Sequence, residues 1–204
     1  MQWHALVGSS DPFNFKGSLW PGGDPERGNL APHPLEVLCE LLEKHTTDAE
    51  HCFFAVWIGW SWVHGGGLIA RTELVRTELV GASATAEPAE RAQAAFSADE
   101  LSRPRLLLPD QDREYLLLAG PLSAAPRLGD PGALGGFSPK SPNLFWPADR
   151  SWCVASEIDF DSTLVGGASD LIQTVLDAPG LDAWRVNPED SLAADADQIN
   201  QVPT

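Results

Sequence analysis

The sequence predicts an α+β fold, a single domain with a mainly antiparallel sheet and a few packed helices. Three observations lead there. HCFFAVWIGW carries apolar residues at both parities, the pattern of a strand covered on both faces. RLLLPDQDREYLLLAGP sets two apolar runs around Pro, Asp and Gln, the pattern of a hairpin with a long loop. Helical spacing is confined to one stretch before these strands and one after them, without the strand–helix alternation of a parallel sheet.

Taken in order, residues 1–33 are rich in Gly, Pro and Asp and read as an irregular lead-in that docks through Trp3, Phe13, Phe15 or Trp20. The domain proper runs over 34–187. PLEVLCELLEKHT places Leu35, Leu38, Leu41 and Leu42 at helical spacing, with Pro34 suited to the first turn and Lys44 and His45 to the last. The strand from Cys52 to Ile58 follows as the centre of the sheet, and Gly59 turns it into a hairpin with a return arm from Trp60 to His64. A variable insertion near 68–100 contains RTELVRTELV, a direct duplication too short for a repeat architecture and better placed in a tolerant loop or peripheral helix. Residues 120–142, with their Gly and Pro, read as a long exposed loop. Period two then extends a strand from Trp152 to Asp161. A helix capped by Ser169 buries Leu171, Ile172, Val175 and Leu176 and ends at Pro179 and Gly180. LDAWRV is a last short strand, and 188–204 form an acidic, polar tail.

A chain of 204 residues buries roughly 70% of its unfolded surface, enough for a core without disulfides or metal. Its formal charge is −16, from 29 acidic against 13 basic residues. Such a surface repels phosphate backbones and anionic headgroups, so neither nucleic acid nor a membrane is expected as a partner; a basic protein partner, or no partner and an acidity that serves solubility alone, fits better. Cys39, Cys52 and Cys153 form no CxxC pair, and no long apolar run or leader-like segment is present, which points to a cytoplasmic protein.

The sharpest chemical lead is SPNLFWPADRSWCVASEIDFDSTLVGG. An extended 152–161 places Trp152, Val154, Ser156, Ile158 and Phe160 on one face and Cys153, Ala155, Glu157, Asp159 and Asp161 on the other. The outer two carboxylates would then be roughly 13 Å apart, too far for one ion to take all three. Glu157, Asp159, Asp161 and Arg150 are the catalytic candidates, and Asp159 with Asp161 is the alternative metal pair; the default is a solvated face, no metal and no cofactor. IDFDSTLV also resembles the first motif of haloacid-dehalogenase-type phosphatases, but that motif needs a doubly wound domain bearing a lysine after it, and no lysine follows Asp161. His51 and His64 could meet at the open end of the tryptophan hairpin, although no HxH or HxxxH spacing supports a metal site. A nucleophilic Cys52 or Cys153 is disfavoured by apolar strands in an acidic protein. Trp60, Trp62, Trp146 and Trp152 could line a ligand pocket, with Trp146 best placed at its rim and Arg150 able to hold Asp149 or a ligand carboxylate.

HTTDAEHCFFAVWIGW, REYLLLAGPL and the long third motif, in this order and spacing, resemble a family of acidic actinobacterial proteins of about 200 residues, an uncharacterised family whose likeness spans roughly 34–190. The resemblance implies no activity. Composition and the absence of a complete catalytic set therefore point to a non-catalytic, cytoplasmic binding protein: an adaptor, regulator or immunity-type inhibitor with an acidic, tryptophan-edged face. The alternative is a small-molecule enzyme or metal-dependent hydrolase built on Asp159 and Asp161.

Overall fold

The computed structural model describes residues 25–65, 94–108, 113–132 and 136–192. Trp3, Phe13, Phe15, Trp20, the RTELV duplication and the last residues of the tail lie outside them.

Helix α1 spans Pro32–Glu43 and starts two residues before Pro34, because Pro32 itself takes the first helical position, where a missing N–H costs nothing. Leu35, Leu38, Cys39 and Leu42 are its buried stripe. Strand β1 is Cys52–Trp57, α2 is Ala98–Leu101, β2 is Arg105–Leu107 and β3 is Glu114–Gly120. The short pair β4, Gly129–Asp130, and β5, Ser138–Pro139, precedes β6, Leu144–Pro147, β7, Trp152–Ser156, and β8, Thr163–Gly167; α3, Ser169–Leu176, closes the series. Six strands form one sheet in the order β2-β3-β1-β6-β7-β8, and every pairing is antiparallel. The predicted α+β class and the central place of β1 are both present.

Register divides the sheet into two faces. Cys52, Phe54 and Val56 lie beside Gly120, Leu118 and Leu116 on one side and Pro147 and Phe145 on the other. With Trp152 and Val154 they meet Leu35, Leu38 and Leu42 of α1 and Leu171 and Val175 of α3 in the main core. A second cluster joins Val56 and Leu116 to Trp62, Val63 and Phe96. The opposite face carries Phe53, Ala55 and Trp57, flanked by Ala119, Leu117 and Tyr115 and by Trp146 and Leu144.

Several expectations are corrected. The segment after Gly59 is no return strand: Ser61–His64 is a turn of 3-10 helix that ends at Gly65 in the left-handed region and buries Trp62 and Val63. Residues 120–142 are no open loop. Leu122–Arg127 form a second 3-10 turn that buries Leu122 and Ala125, β4 pairs with β5, and Ser141 and Pro142 are buried. Ser169 is the first residue of α3 rather than its cap; Ala168 stands at the cap position and offers no side-chain bond. LDAWRV forms no strand: Leu181 and Ala183 pack on the core while Trp184 is 67% exposed.

The largest correction concerns 152–161. Strand β7 stops at Ser156, whose hydroxyl meets that of Thr163 at 2.8 Å, and the chain turns back at once into β8. The predicted faces hold for Trp152, Val154 and Ser156 inside and for Cys153 and Ala155 outside. Glu157, Asp159 and Asp161 sit in the turn between the strands, and Phe160 donates its N–H to the Glu157 carbonyl at 3.0 Å across it.

Candidate functional site

Antiparallel pairing places the sequence-predicted residues at two ends of the sheet. At the end where β1 finishes, Asn143 is 2% exposed and organises the surroundings. Its Oδ1 accepts the Trp57 N–H at 2.9 Å and the Trp60 indole N–H at 3.1 Å, and its Nδ2 donates to the carbonyls of Ser156 at 3.2 Å and Gly28 at 3.4 Å. Trp57 and Trp60 meet edge to face at 5.4 Å. Gly28, at φ +67°, donates its N–H to Phe160 at 2.8 Å; a Cβ there would lie 2.7 Å from the Ile158 Cα, so only glycine allows the lead-in to dock against the β7–β8 turn.

The acidic residues of that turn are engaged. Arg113, entering β3, pairs with Glu157 and with Asp159, the latter at 2.5 Å. A guanidinium thus stands between two of the three carboxylates proposed for metal or acid–base work. Among the described residues, no group of three or more His, Cys, Asp and Glu side chains converges.

Trp62 and Trp152 are core residues, 5% and 2% exposed, and Trp152 also borders the groove at the β6–β7 turn. The indole N–H of Trp152 donates to the Leu42 carbonyl at the end of α1, at 3.1 Å. His51 and His64 do not meet. They flank opposite ends of β1, roughly 20 Å apart for a six-residue strand. His51 pairs with Asp48 at 2.5 Å, which raises its pKa, and His64 bonds the Ile58 carbonyl at 2.7 Å. Burial pushes the thiols of Cys39 up to about 12 and of Cys52 up to about 11, far from thiolate chemistry at neutral pH. Cys153, by contrast with the expectation of packing, is exposed on the outer face, and partial desolvation still raises its pKa.

At the other end of the sheet, the β6–β7 turn holds Asp149 and Arg150. Arg150 does not pair with its neighbour. Asp149 instead ties the turn to the loop after α1: one oxygen accepts from Thr46 Oγ1 at 2.8 Å, Thr47 N at 2.9 Å and Thr47 Oγ1 at 3.0 Å, and the other from Ser151 Oγ at 2.7 Å and Ser151 N at 3.0 Å. The bonds from Ser151, followed by those from Thr46 and Thr47, hold this carboxyl far below its ordinary value of 3.8. A depressed carboxyl contributes stability that is complete above the unfolded pKa and is lost as pH falls toward the folded one. Asp149→Asn is therefore expected to be less stable than wild type at pH 7, with the gap closing below about pH 4. Urea titrations at pH 7, 5, 4 and 3 check this; a gap of constant size across them would count against the carboxylate's role.

Beside this turn lies an open groove of about 430 Å³ lined by Trp146, Arg150, Ser151, Trp152, Cys153, Gly166 and Gly167. Trp146 is half-buried and rests against Phe53 at 5.8 Å. The structure thus brings together Trp146, Trp152 and Arg150, as expected, with Cys153, Gly166 and Gly167 beside them.

Fold and site define an α+β protein with one six-stranded antiparallel sheet, its described helices gathered on one face and its opposite face apolar. Comparison with protein-family models, with curated proteins and with solved structures finds no match. Among the described residues, no helix is long and apolar enough to cross a membrane.

Proposed function

We propose that this chain is a cytoplasmic, non-catalytic binding protein, an adaptor, regulator or immunity-type inhibitor, that docks a basic protein partner on the outer face of its sheet. One observation carries the reading. Phe53, Trp57, Leu117, Leu144, Trp146 and Leu164 share that face, while the buried residues of α1, α3 and the two 3-10 turns belong to clusters on the other. Leu117 and Leu164 are each 38% exposed. Contiguous apolar surface rimmed by polar groups is the anatomy of a protein interface. Acids stand at the strand ends around it, with Asp48 and Glu50 before β1 and Glu114 opening β3. A net charge of −16 steers a cationic partner toward such a face and away from nucleic acid. The unpaired thiols of Cys39 and Cys52, buried in the core, suit a reducing compartment.

The test uses Leu117→Glu with Leu164→Glu, which breaks the apolar centre while preserving the sign of the field. A partner captured by the wild-type chain is expected to bind at least about 10-fold more weakly, with its association slowed by added salt in both proteins. Equal capture by the folded double variant, or a salt-independent association rate, would refute the docking face.

A further inference from the structure

We infer that the groove at the β6–β7 turn is a small-molecule site for a flat aromatic monocarboxylate, held by Arg150 and stacked on Trp146. This goes beyond partner docking and does not depend on it. Two of the groove's residues are unexplained by the fold, and both point into the same proposal.

The first is Arg150. It is the one non-glycine residue with positive φ among the described residues, at +57°. Its N–H closes a turn onto the Pro147 carbonyl at 3.0 Å, leaving the left-handed position immediately before Ser151 and β7. Hairpins of this kind place glycine or asparagine there, because a larger side chain crowds the backbone. An arginine held in such a conformation brings no compensating contact within the turn: Asp149, its obvious partner, gives both carboxylate oxygens to Thr46, Thr47 and Ser151. Backbone strain at a non-glycine residue is a pointer from structure to function.

The second is Gly166. Its neighbour Gly167 is required by packing, since a Cβ there would lie 2.7 Å from Leu171 Cδ2. At Gly166 a Cβ would find nothing nearer than the Cys153 carbonyl oxygen at 3.8 Å, and its φ is not one that demands glycine. Neither packing nor conformation asks for glycine there. What the missing side chain does provide is open space in the groove beside Cys153, on the same face of the sheet as Trp146.

Chemistry then narrows the ligand. One guanidinium forks onto one carboxylate. Of the remaining lining, Ser151 gives its hydroxyl to Asp149, and Trp146, Trp152, Cys153, Gly166 and Gly167 are apolar or flat, which suits an aromatic ring in stacked contact. A multiply charged phosphate would meet a single cation on a molecule of charge −16 and is disfavoured.

Indole-3-carboxylate and 1-naphthoate, titrated calorimetrically into the full chain beside their primary amides, test the site. Saturable binding of at least one acid is expected, with its amide at least about 10-fold weaker. Arg150→Gly should weaken that acid to the same degree without lowering the melting temperature, and Arg150→Gln should weaken it without altering the turn. Gly166→Leu should abolish binding in a chain whose circular dichroism is unchanged. Failure of both acids to bind saturably, equal affinity for acid and amide, or wild-type affinity in the Arg150 variants or in Gly166→Leu would each overturn the assignment. None of these outcomes touches Leu117 or Leu164, so the docking face stands or falls separately.

Discussion

Asn143→Leu is expected to destabilise the chain by about 3–5 kcal/mol, a large share of the total stability of an ordinary domain. The reason is positional. Strand β6 begins at Leu144, so the main-chain ladder it makes with β1 and β7 ends there. The Trp57 N–H of β1 and the Ser156 carbonyl of β7 point toward the gap, and the Asn143 amide meets both, accepting the first and donating to the second. Its own backbone completes the bridge, donating to Ala55 at 2.9 Å and accepting from Ser156 at 2.7 Å. Leucine has similar volume and no polar atoms. It would leave the Trp57 N–H, the Trp60 indole N–H and two carbonyls without partners in a site that is 2% exposed, and each such group costs about 1–3 kcal/mol unless water reaches it. Asn143→Asp should be no milder, because its second carboxylate oxygen would face the carbonyls of Ser156 and Gly28. Urea unfolding with an unchanged slope and a lowered midpoint is the expected signature. A loss below about 1 kcal/mol would mean that the amide is not the keystone of this end of the sheet.

Asn143 also shows where reading the sequence reaches its limit. Helix α1 was legible because its information is local: four leucines at a 3.6 period cover one stripe whatever lies opposite, and Leu35, Leu38 and Leu42 are buried as that pattern requires. The β2–β3 hairpin was legible for the same reason, two apolar runs around a polar loop. The continuation of β7 to Asp161 was not. Alternation persists through Phe160, and what stops the strand is a partner, β8, that begins only at Thr163. The acids that looked like a row on one face thereby became a turn. Arg113, which neutralises Glu157 and Asp159, lies across the sheet and is 46 positions from Asp159, so no local window couples them. The tryptophans failed likewise. Composition shows that indoles need N–H partners, but the partner of Trp152 is a carbonyl 110 residues away, so no local window shows that its indole is spent in the core. Trp146 and Arg150 were legible as a rim because turn chemistry around them is local; the place of Gly166 in the groove comes from strand pairing with Cys153 and was not.

The core role of Trp152 leads to the second large effect, and two substitutions separate its components. Trp152→Ala removes a side chain that is 2% exposed, packed edge to face on Phe145 at 5.8 Å and seated between α1 and the sheet. The cavity and the lost apolar contact together should cost about 3–5 kcal/mol. Trp152→Phe keeps most of the ring and removes the indole N–H. The Leu42 carbonyl would then lose the 3.1 Å bond to β7, but it still accepts from the N–H of His45 at the end of α1, at 3.0 Å. No buried acceptor is orphaned, so the phenylalanine variant should lose only about 1–2 kcal/mol. This ordering distinguishes the two roles considered for Trp152. A packing residue gives a graded loss of stability, read as unfolding midpoints that fall from wild type through Phe to Ala, whereas a ligand-contacting residue on an open wall would leave all three midpoints together. Because the Trp152 indole belongs to the core cluster while Arg150 and Trp146 carry the proposed site, binding of an aromatic acid by the phenylalanine variant should match wild type, tying the loss to the core beneath the site rather than to the site itself.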